Sequence, residues 1–369
     1  MLDSRTPIFG ALLSISLLAL PALPQARDPL PVPDLPGLKT LKCDFHTHTV
    51  FSDGDVWPTT RIAEAWRDGL DVIALTDHAG YNPHEKDVPV NLARPPALAK
   101  ELADWWGLLV IPGAEVAEGD IHYNALFLAD PNALRGVDLA EALRRAKAQH
   151  AFVFWNHPGW KQTPEWFPLV ASLHREGLFQ GIELVNGTTF YREAFPWVEE
   201  HGLAIVANSD VHAPVPVDYA PRSRPITLVF ASSASLTGVR EALFAHRTSA
   251  WVNGQVWGDE RYLRGLWEGA VKVEGAFQGK HEGDTVAVLR LRNHSAIPFD
   301  LRAGKGPAWL RVTPVELPAE RIAGLWLQVA ANAPTGPQRV EIELEVANLH
   351  TEPARNLTVR LLVDLKLGN

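Results

Sequence analysis

Two histidines one residue apart, His46 and His48, stand in the stretch DFHTHTVFSDG, and Asp53 follows five residues later in a glycine turn. A hydrophobic core has little use for such a run, because a buried imidazole needs a hydrogen-bond partner. In an extended strand, residues i and i+2 point to the same face. His46 and His48 can therefore offer two nitrogens to one ion. One such pair is weak evidence, but the chain goes on adding to it. DVIALTDH ends in Asp77 and His78, LLVIPGAE in Glu115, AFVFWNHPG reaches Asn156 and His157, and LAIVANSDVH closes on Asp210 and His212, while GDIHYNALFL opens with His122. The candidate ligands are thus His46, His48, Asp53, His78, Glu115, His122, His157, Asp210 and His212. Imidazole and carboxylate without thiolate suit Mn²⁺, Fe²⁺ or Zn²⁺. The set is too large for one ion and implies two or three. Neighbouring dications can share a hydroxide, lower its pKa and grip a phosphoryl oxygen. Chemistry of that kind needs no serine or cysteine nucleophile.

These residues must be gathered by the elements that carry them. Short apolar runs, often β-branched, occupy 41–46, 71–76, 108–112, 124–128, 151–155, 181–185, 203–207 and 226–230. Each is too short for a helix. Amphipathic stretches lie between them, such as PTTRIAEAWRDGL, with Pro58 placed for a first helical position and Gly69 for a stop. PALAKELADWWG, LAEALRRAKAQH, EWFPLVASLHREG, EAFPWVEEHG and SLTGVREALFAHR follow the same plan. The alternation predicts parallel strands with helices outside, closed as a (β/α) barrel rather than an open sheet. All the strand ends then meet at one mouth, where the active sites of such barrels lie.

The pattern changes near residue 255. Residues 270–369 lose helical periodicity and alternate in runs such as VAVLRLRN, RVEIELEVAN and LTVRLLVDL. They predict an antiparallel β-sandwich. The expected organisation is a signal peptide over 1–26, a Pro-rich linker over 27–40, a barrel over 41–255, a connection over 256–269 and a β-sandwich over 270–369. The tail would either cover an apolar flank of the barrel or serve as a separable binding unit.

Composition narrows the classes. A net charge of −9 disfavours a basic nucleic-acid surface, and a single cysteine, Cys43, excludes an intrachain disulfide framework or a Cys-rich zinc site. One arginine precedes the apolar run Ile8 to Leu20, and PALPQA follows. This fits a leader for export to the periplasm or beyond. The run is short for a membrane span, so no stable anchor is expected, with an uncleaved anchor as the alternative.

DFHTHTVFSDG, ALTDH, PGAE, NHPG and NSDVH, in this order over residues 41–215, resemble the motif series of the polymerase and histidinol phosphatase (PHP) superfamily. The resemblance implies an α/β fold, a distorted (β/α)7 barrel of PHP type, here followed by the C-terminal all-β sandwich. It also implies hydrolysis of phosphoesters at a two- or three-metal site. Carried onto this sequence, His46 and His48 bind one ion with Glu115 and Asp210, and Glu115 bridges. His122 and His157 match ligands of a second ion, and Asp53, His78 and His212 those of a third. Asp53 stands where some members have histidine. DHAGYNPHEKDVP, GDIHYNALFLAD, the leader and the β-rich tail resemble secreted bacterial phosphodiesterases of organophosphate diesters. That likeness implies three ions, Mn²⁺ before Zn²⁺ or Fe²⁺, and a small-molecule phosphoester as partner. Glu115 and Asp210 are the expected catalytic carboxylates.

Substrate contacts are expected from His84 and Lys86, from Asn156, and from Arg222 with Arg224, since arginine suits bidentate phosphate contact. Asp77 and Asn156, each just before a ligand histidine, are expected either to orient a ligand or to contact the substrate. Trp57, Tyr81, Trp155 and Trp160 can form an aromatic collar or belong to the core. Two other functions stay open: a periplasmic phosphomonoesterase on sugar or nucleotide phosphates, and a non-catalytic metal- or surface-binding module. The sequence says nothing about oligomeric state.

Overall fold

The computed structural model describes residues 26–282 and 284–367. The expected leader falls outside the described residues, except for Ala26. Strands form at the eight apolar runs and at three further places: β1 (Lys39–Asp44), β2 (Val72–Leu75), β3 (Leu109–Glu118), β4 (Ile121–Leu126), β5 (Phe152–Trp155), β6 (Gly181–Asn186), β7 (Thr189–Phe190), β8 (Ala204–Asn208), β9 (Ile226–Ala231), β10 (Thr248–Val252) and β11 (Gln255–Gly258), with β7, β10 and β11 lying outside the runs. Helices lie between most of them, the first three being α1 (Pro58–Arg67), α2 (Arg94–Trp106) and α3 (Leu139–Ala148). α1 begins on Pro58, where a missing N–H costs nothing. Asp138 caps α3 by accepting from the Glu141 N–H at 2.8 Å.

The barrel is α/β but not uniformly parallel. β1, β2 and β3 run parallel, as do β5, β6 and β8. β4 is antiparallel to both its neighbours. Only Gly119 and Asp120 separate β3 from β4, and a two-residue connection can only turn the chain back on itself. β9 lies antiparallel beside β1 and meets β8 through Thr227 Oγ1, which accepts from Ala207 N–H and donates to Ala207 O. At the mouth the ring closes differently. Asp210 N–H donates to His46 O at 2.9 Å and His48 N–H to Val211 O at 3.1 Å. That closure sets the first histidine pair directly beside Asp210 and His212.

The remaining strands are β12 (Val271–His281), β13 (Asp284–Asn293), β14 (Phe299–Ala303), β15 (Leu310–Val312), β16 (Val315–Leu317), β17 (Ile322–Val329), β18 (Gly336–Glu352) and β19 (Arg355–Leu367). One sheet takes the order β12-β13-β17-β15, and the other is built from β16, β14, β18 and β19. Their facing rows, including Leu289, Leu325, Leu344 and Val359, are buried in one core. This is the all-β sandwich. β18 also pairs in parallel with β11, so the second sheet continues into the barrel strands. The same core takes in Ile62, Leu75 and Phe230 from the barrel side.

The proline-rich stretch is laid down along this junction rather than left as a free tether. Arg27 pairs with Asp71, Leu30 and Leu35 are buried, and Pro31 O accepts from Ala296 N–H. Gly265 makes the close approach possible, since a Cβ there would sit 2.6 Å from Leu35 Cδ2.

Candidate metal centre

The ligand-bearing loop after β1 is locked by Asp77. Its carboxylate accepts from Thr49 N–H at 2.7 Å, from Thr49 Oγ1 and from Ser52 Oγ. Gly54 closes the turn, where any Cβ would lie 2.6 Å from the His48 and Thr49 backbone. Arg61 ties this loop to the one after β8. Its guanidinium is wholly buried and donates to the carbonyls of His48, Val211, His212 and Ala213 and to Glu64. His157 (φ 27°) and Asp210 (φ 52°) both adopt left-handed backbone. Such conformations cost about 1–3 kcal/mol and persist where the surroundings enforce them.

All nine candidate ligands converge. His46 Nε2 lies 3.2 Å from Glu115 Oε2 and 3.1 Å from Asp210 Oδ1, and His48 Nε2 repeats both distances. On the other Glu115 oxygen, His122 Nδ1 stands at 2.8 Å and His157 Nε2 at 3.5 Å. His78 Nδ1 reaches Glu115 Oε2 at 3.1 Å, and His78, His48 and His212 surround Asp53 at 3.4–3.6 Å. Donors about 2.1 Å from a tetrahedral ion stand about 3.4 Å apart, which is the spacing observed. The donors fall into four sets, within each of which the ligand atoms lie no more than 4.8 Å apart: His46–His48–Asp210, His46–Glu115–His157, His78–Glu115–His122 and His48–Asp53–His78–His212. His122 thus groups with His78 as well as lying near His157, and His48 reaches toward two positions.

The residues fit divalent ions on two further grounds. His48 Nε2 and Asp53 Oδ1 are buried polar atoms that form no hydrogen bond, a costly arrangement unless something else binds them. The electrostatics also ask for cations. Burial opposes a charge on His46, but Asp210, Glu115 and Glu183 outweigh it and hold the imidazole well above its usual pKa. Burial would raise Glu115, yet His78, His46, His122 and His157 hold it well below the carboxylate range. Asp210 is likewise lowered by His46, His48 and His157 against the effect of burial. The carboxylates keep positive charge beside them, and bound metal would take the place of the imidazole protons.

Other expected contacts fall elsewhere. Asn156 is fully buried; its amide donates to Glu115 Oε1 at 2.9 Å and its Oδ1 accepts from Asn124 N–H. Its polar atoms are spent on holding Glu115, not turned to a substrate. Arg222 pairs with Asp28 and Glu320, and Arg224 is buried against Asp44 and Asp68. Both arginines found carboxylates closer than any phosphate pocket. His84 and Lys86 sit on a turn where His84 N–H donates to Asn82 Oδ1, outside the four donor groups. Tyr81 stands 6.1 Å from the His78 ring and Trp160 5.0 Å from His122. Trp155 is core, stacked 5.7 Å from Trp197.

Sequence reasoning missed Glu183. Its carboxylate is fully buried and accepts from His46 Nδ1 at 2.9 Å, Asn208 Nδ2 at 2.8 Å, His157 N–H at 2.8 Å and Asn186 Nδ2 at 2.9 Å. The bond from Nδ1 leaves His46 Nε2 free to bind metal. The signal was an acid inside the apolar strand GIELVN, since such residues are almost never fully buried unless paired.

No family model matches the chain. It is 36% identical to a two-domain protein of Bacteroides vulgatus that contains a predicted PHP-like metal-dependent phosphoesterase. The two overlay at a TM-score of 0.84 over 92% of this chain and 99% of that one. The chain belongs to the PHP-like family. An uncharacterized protein of Methanocaldococcus jannaschii is 28% identical over 191 residues, 47% of this chain and 83% of its own. The Bacteroides overlay spans nearly the whole described chain, so the PHP-like barrel and its β tail recur together.

Proposed function

We propose that this PHP-like protein hydrolyses phosphodiesters of small organic alcohols, using two or three divalent ions with Mn²⁺ the favoured metal. The observation that carries the reading is the convergence of four donor groups on one mouth, with Glu115 shared by two of them. Divalent ions held there would supply Lewis-acid polarisation of a phosphoryl oxygen and a water acidified enough to attack it. The chain's own residues do the rest. Glu115 presents its two oxygens to opposite sides of the centre, and Asn156 and His122 hold one of them in place. Asp77, Arg61 and Glu183 fix the loops and imidazoles so that little rearrangement is needed on binding. Tyr81 and Trp160 flank the mouth and offer aromatic faces to an organic ester group.

A diester carries one negative charge and a monoester up to two. Arg222 and Arg224, the cations best suited to a dianion, are paired elsewhere, and this favours the diester. The test compares bis(p-nitrophenyl) phosphate with p-nitrophenyl phosphate on protein loaded with Mn²⁺, before and after chelation. Chelator-sensitive and faster diester cleavage is expected. Faster monoester cleavage would make it a phosphatase, and a metal-loaded protein idle on both would point to a binding module. We also propose export through the N-terminal leader, which N-terminal sequencing of the mature protein checks.

A further inference from the structure

Asp210 is steadied from outside the ligand set by Asn186, whose Nδ2 donates to Asp210 Oδ2 at 3.2 Å and to Glu183 Oε2 at 2.9 Å. Asn186 ends β6 and starts a hairpin: Asn186 pairs with Thr189 and Val185 with Phe190. On one side the turn is tied to β8, where Gly187 N–H donates to Asn208 O at 3.0 Å and Asn186 pairs with Asn208; the outer strand has no such tie among the described residues. Gly187 turns with φ 58°, and Thr188 and Thr189 are exposed.

The outer strand is held by Phe190. Its ring stacks on Trp257 with centroids 4.5 Å apart and planes at 21°. Trp257 stacks in turn on His350, at 5.1 Å and 19°. Trp257 belongs to the barrel side and His350 to the tail, and the two are register partners in the β11–β18 ladder. His350 is itself pinned by the side chains of Asn356 at 2.9 Å and Gln255 at 2.8 Å, and Asn356 by Glu345 at 2.7 Å. A line therefore runs from the β-sandwich to a metal-centre carboxylate: His350 stacks on Trp257 and Trp257 on Phe190, Phe190 pairs with Val185 in the hairpin ladder, and the next residue, Asn186, donates to Asp210. Stacked aromatic rings resist sliding, and a hairpin held on one side by such a stack keeps its register.

We propose that the C-terminal β layer is a positioning element of the metal centre: through His350, Trp257 and Phe190 it fixes the Asn186 hairpin, and so holds Asn186 against Asp210. This rests on reading the Glu115–Asp210 cluster as a metal centre. Phe190 and His350 are positioning residues, and neither touches a reacting atom. The role predicts coupling. Loosening the stack should matter only through Asn186.

The experiment uses the full chain. Mn²⁺ affinity is measured by competition with a chelator, and melting temperature alongside, for F190A, H350A, N186A, F190Y and the double variant F190A/N186A. Loss of groups that orient ligands weakens metal binding about 10–100-fold, so the single alanine variants should fall by about tenfold. F190Y keeps the stack and should bind as the wild type does. The double variant should bind no more weakly than N186A alone. A lower melting temperature with wild-type Mn²⁺ affinity in F190A and H350A would reduce the stack to ordinary packing and overturn the proposal. Effects of F190A and N186A that multiply would overturn it too. A wild-type protein that binds no Mn²⁺ would take down the metal-centre reading and this role together, whereas unchanged affinity in the variants would remove this role alone.

Discussion

The barrel mouth and the β-sandwich both bury side chains almost completely, but they bury different chemistry. At the mouth, His46, His48, Asp77, Glu115, Asn156 and Glu183 are enclosed. Between the two sheets of the tail, the enclosed rows are Leu325, Leu327, Leu344, Val346 and Val359. The tail strands alternate, with β19 reading buried and exposed in turn, and that is how a sheet with one wet face is built. The barrel strands β2, β5 and β8 are buried along their whole length. Aliphatic burial needs only shape. Polar burial needs donors and acceptors matched, and at the mouth Asp77, Asn156 and Glu183 are matched in this way. Away from the His350–Trp257–Phe190 stack, stability and function should therefore separate: disturbing the aliphatic core of the sandwich lowers the first, and disturbing the mouth changes the second.

The widest break in that contrast is expected at Arg61, where both quantities should fall. Replacing it with methionine leaves Glu64 buried without its cation and removes a donor from four carbonyls, of which Val211 O and His212 O keep a backbone N–H. Breaking a buried pair from one side costs about 3–5 kcal/mol. Denaturant unfolding should show that loss, and Mn²⁺ titration should show the loops of His48 and His212 uncoupled. Leu344→Ala gives the opposite separation. A fully buried leucine lost from the sandwich core should cost about 2–5 kcal/mol, while Mn²⁺ affinity and turnover per folded molecule stay at the wild-type level. A change in affinity there would erase the distinction between the two regions.

Glu115→Gln moves function with little change in shape. The substitution removes a negative charge that His46, His48, His78, His122 and His157 all face. Diester turnover with Mn²⁺ should drop at least a hundredfold, equivalent to about 2.7 kcal/mol. Near-normal turnover would mean that the shared carboxylate is not where the chemistry occurs.

Much of this was legible in the chain. Histidines and acids at the ends of short apolar runs marked the candidate ligands that the fold brings together, because strand length, alternation and largely parallel topology leave such ends at one mouth. The β-sandwich was visible as period-two alternation. Besides Glu183, three things were hidden, each for a physical reason. The β3–β4 hairpin lacks the helix that would have separated two parallel strands, so the run beginning at 124 looked like one more repeat. Arg222 and Arg224 follow the last ligand motif by about ten residues, but charge says nothing about which acid an arginine will meet, and Asp28 and Asp44 lie far off in sequence. Asn156 adjoins a ligand, and its buried amide could face either the metal centre or a substrate until the fold showed Glu115 on one side and Asn124 on the other.

Glu183 sharpens the comparison at its finest scale, because it is a buried acid that would touch no metal. Its two oxygens accept four hydrogen bonds, two each: His46 Nδ1 and Asn208 Nδ2 on one, His157 N–H and Asn186 Nδ2 on the other. Glutamine preserves the volume but turns an NH₂ group toward two of those donors. Whichever way the amide is placed, one pair of donors loses its acceptor. If the pair is His46 and Asn208, His46 no longer has its Nδ1 proton held and its Nε2 is free to rotate away from Glu115 and Asp210. If it is His157 and Asn186, the left-handed backbone of His157 loses the bond that helps enforce it. Either outcome weakens Mn²⁺ binding by about 10–100-fold, the range for groups that orient metal ligands. The effect is smaller than that of Glu115→Gln because every ligand is still present. Equal affinity in Glu183→Gln and wild type would show that the imidazoles are held by the metal itself and that the buried acid serves only the fold.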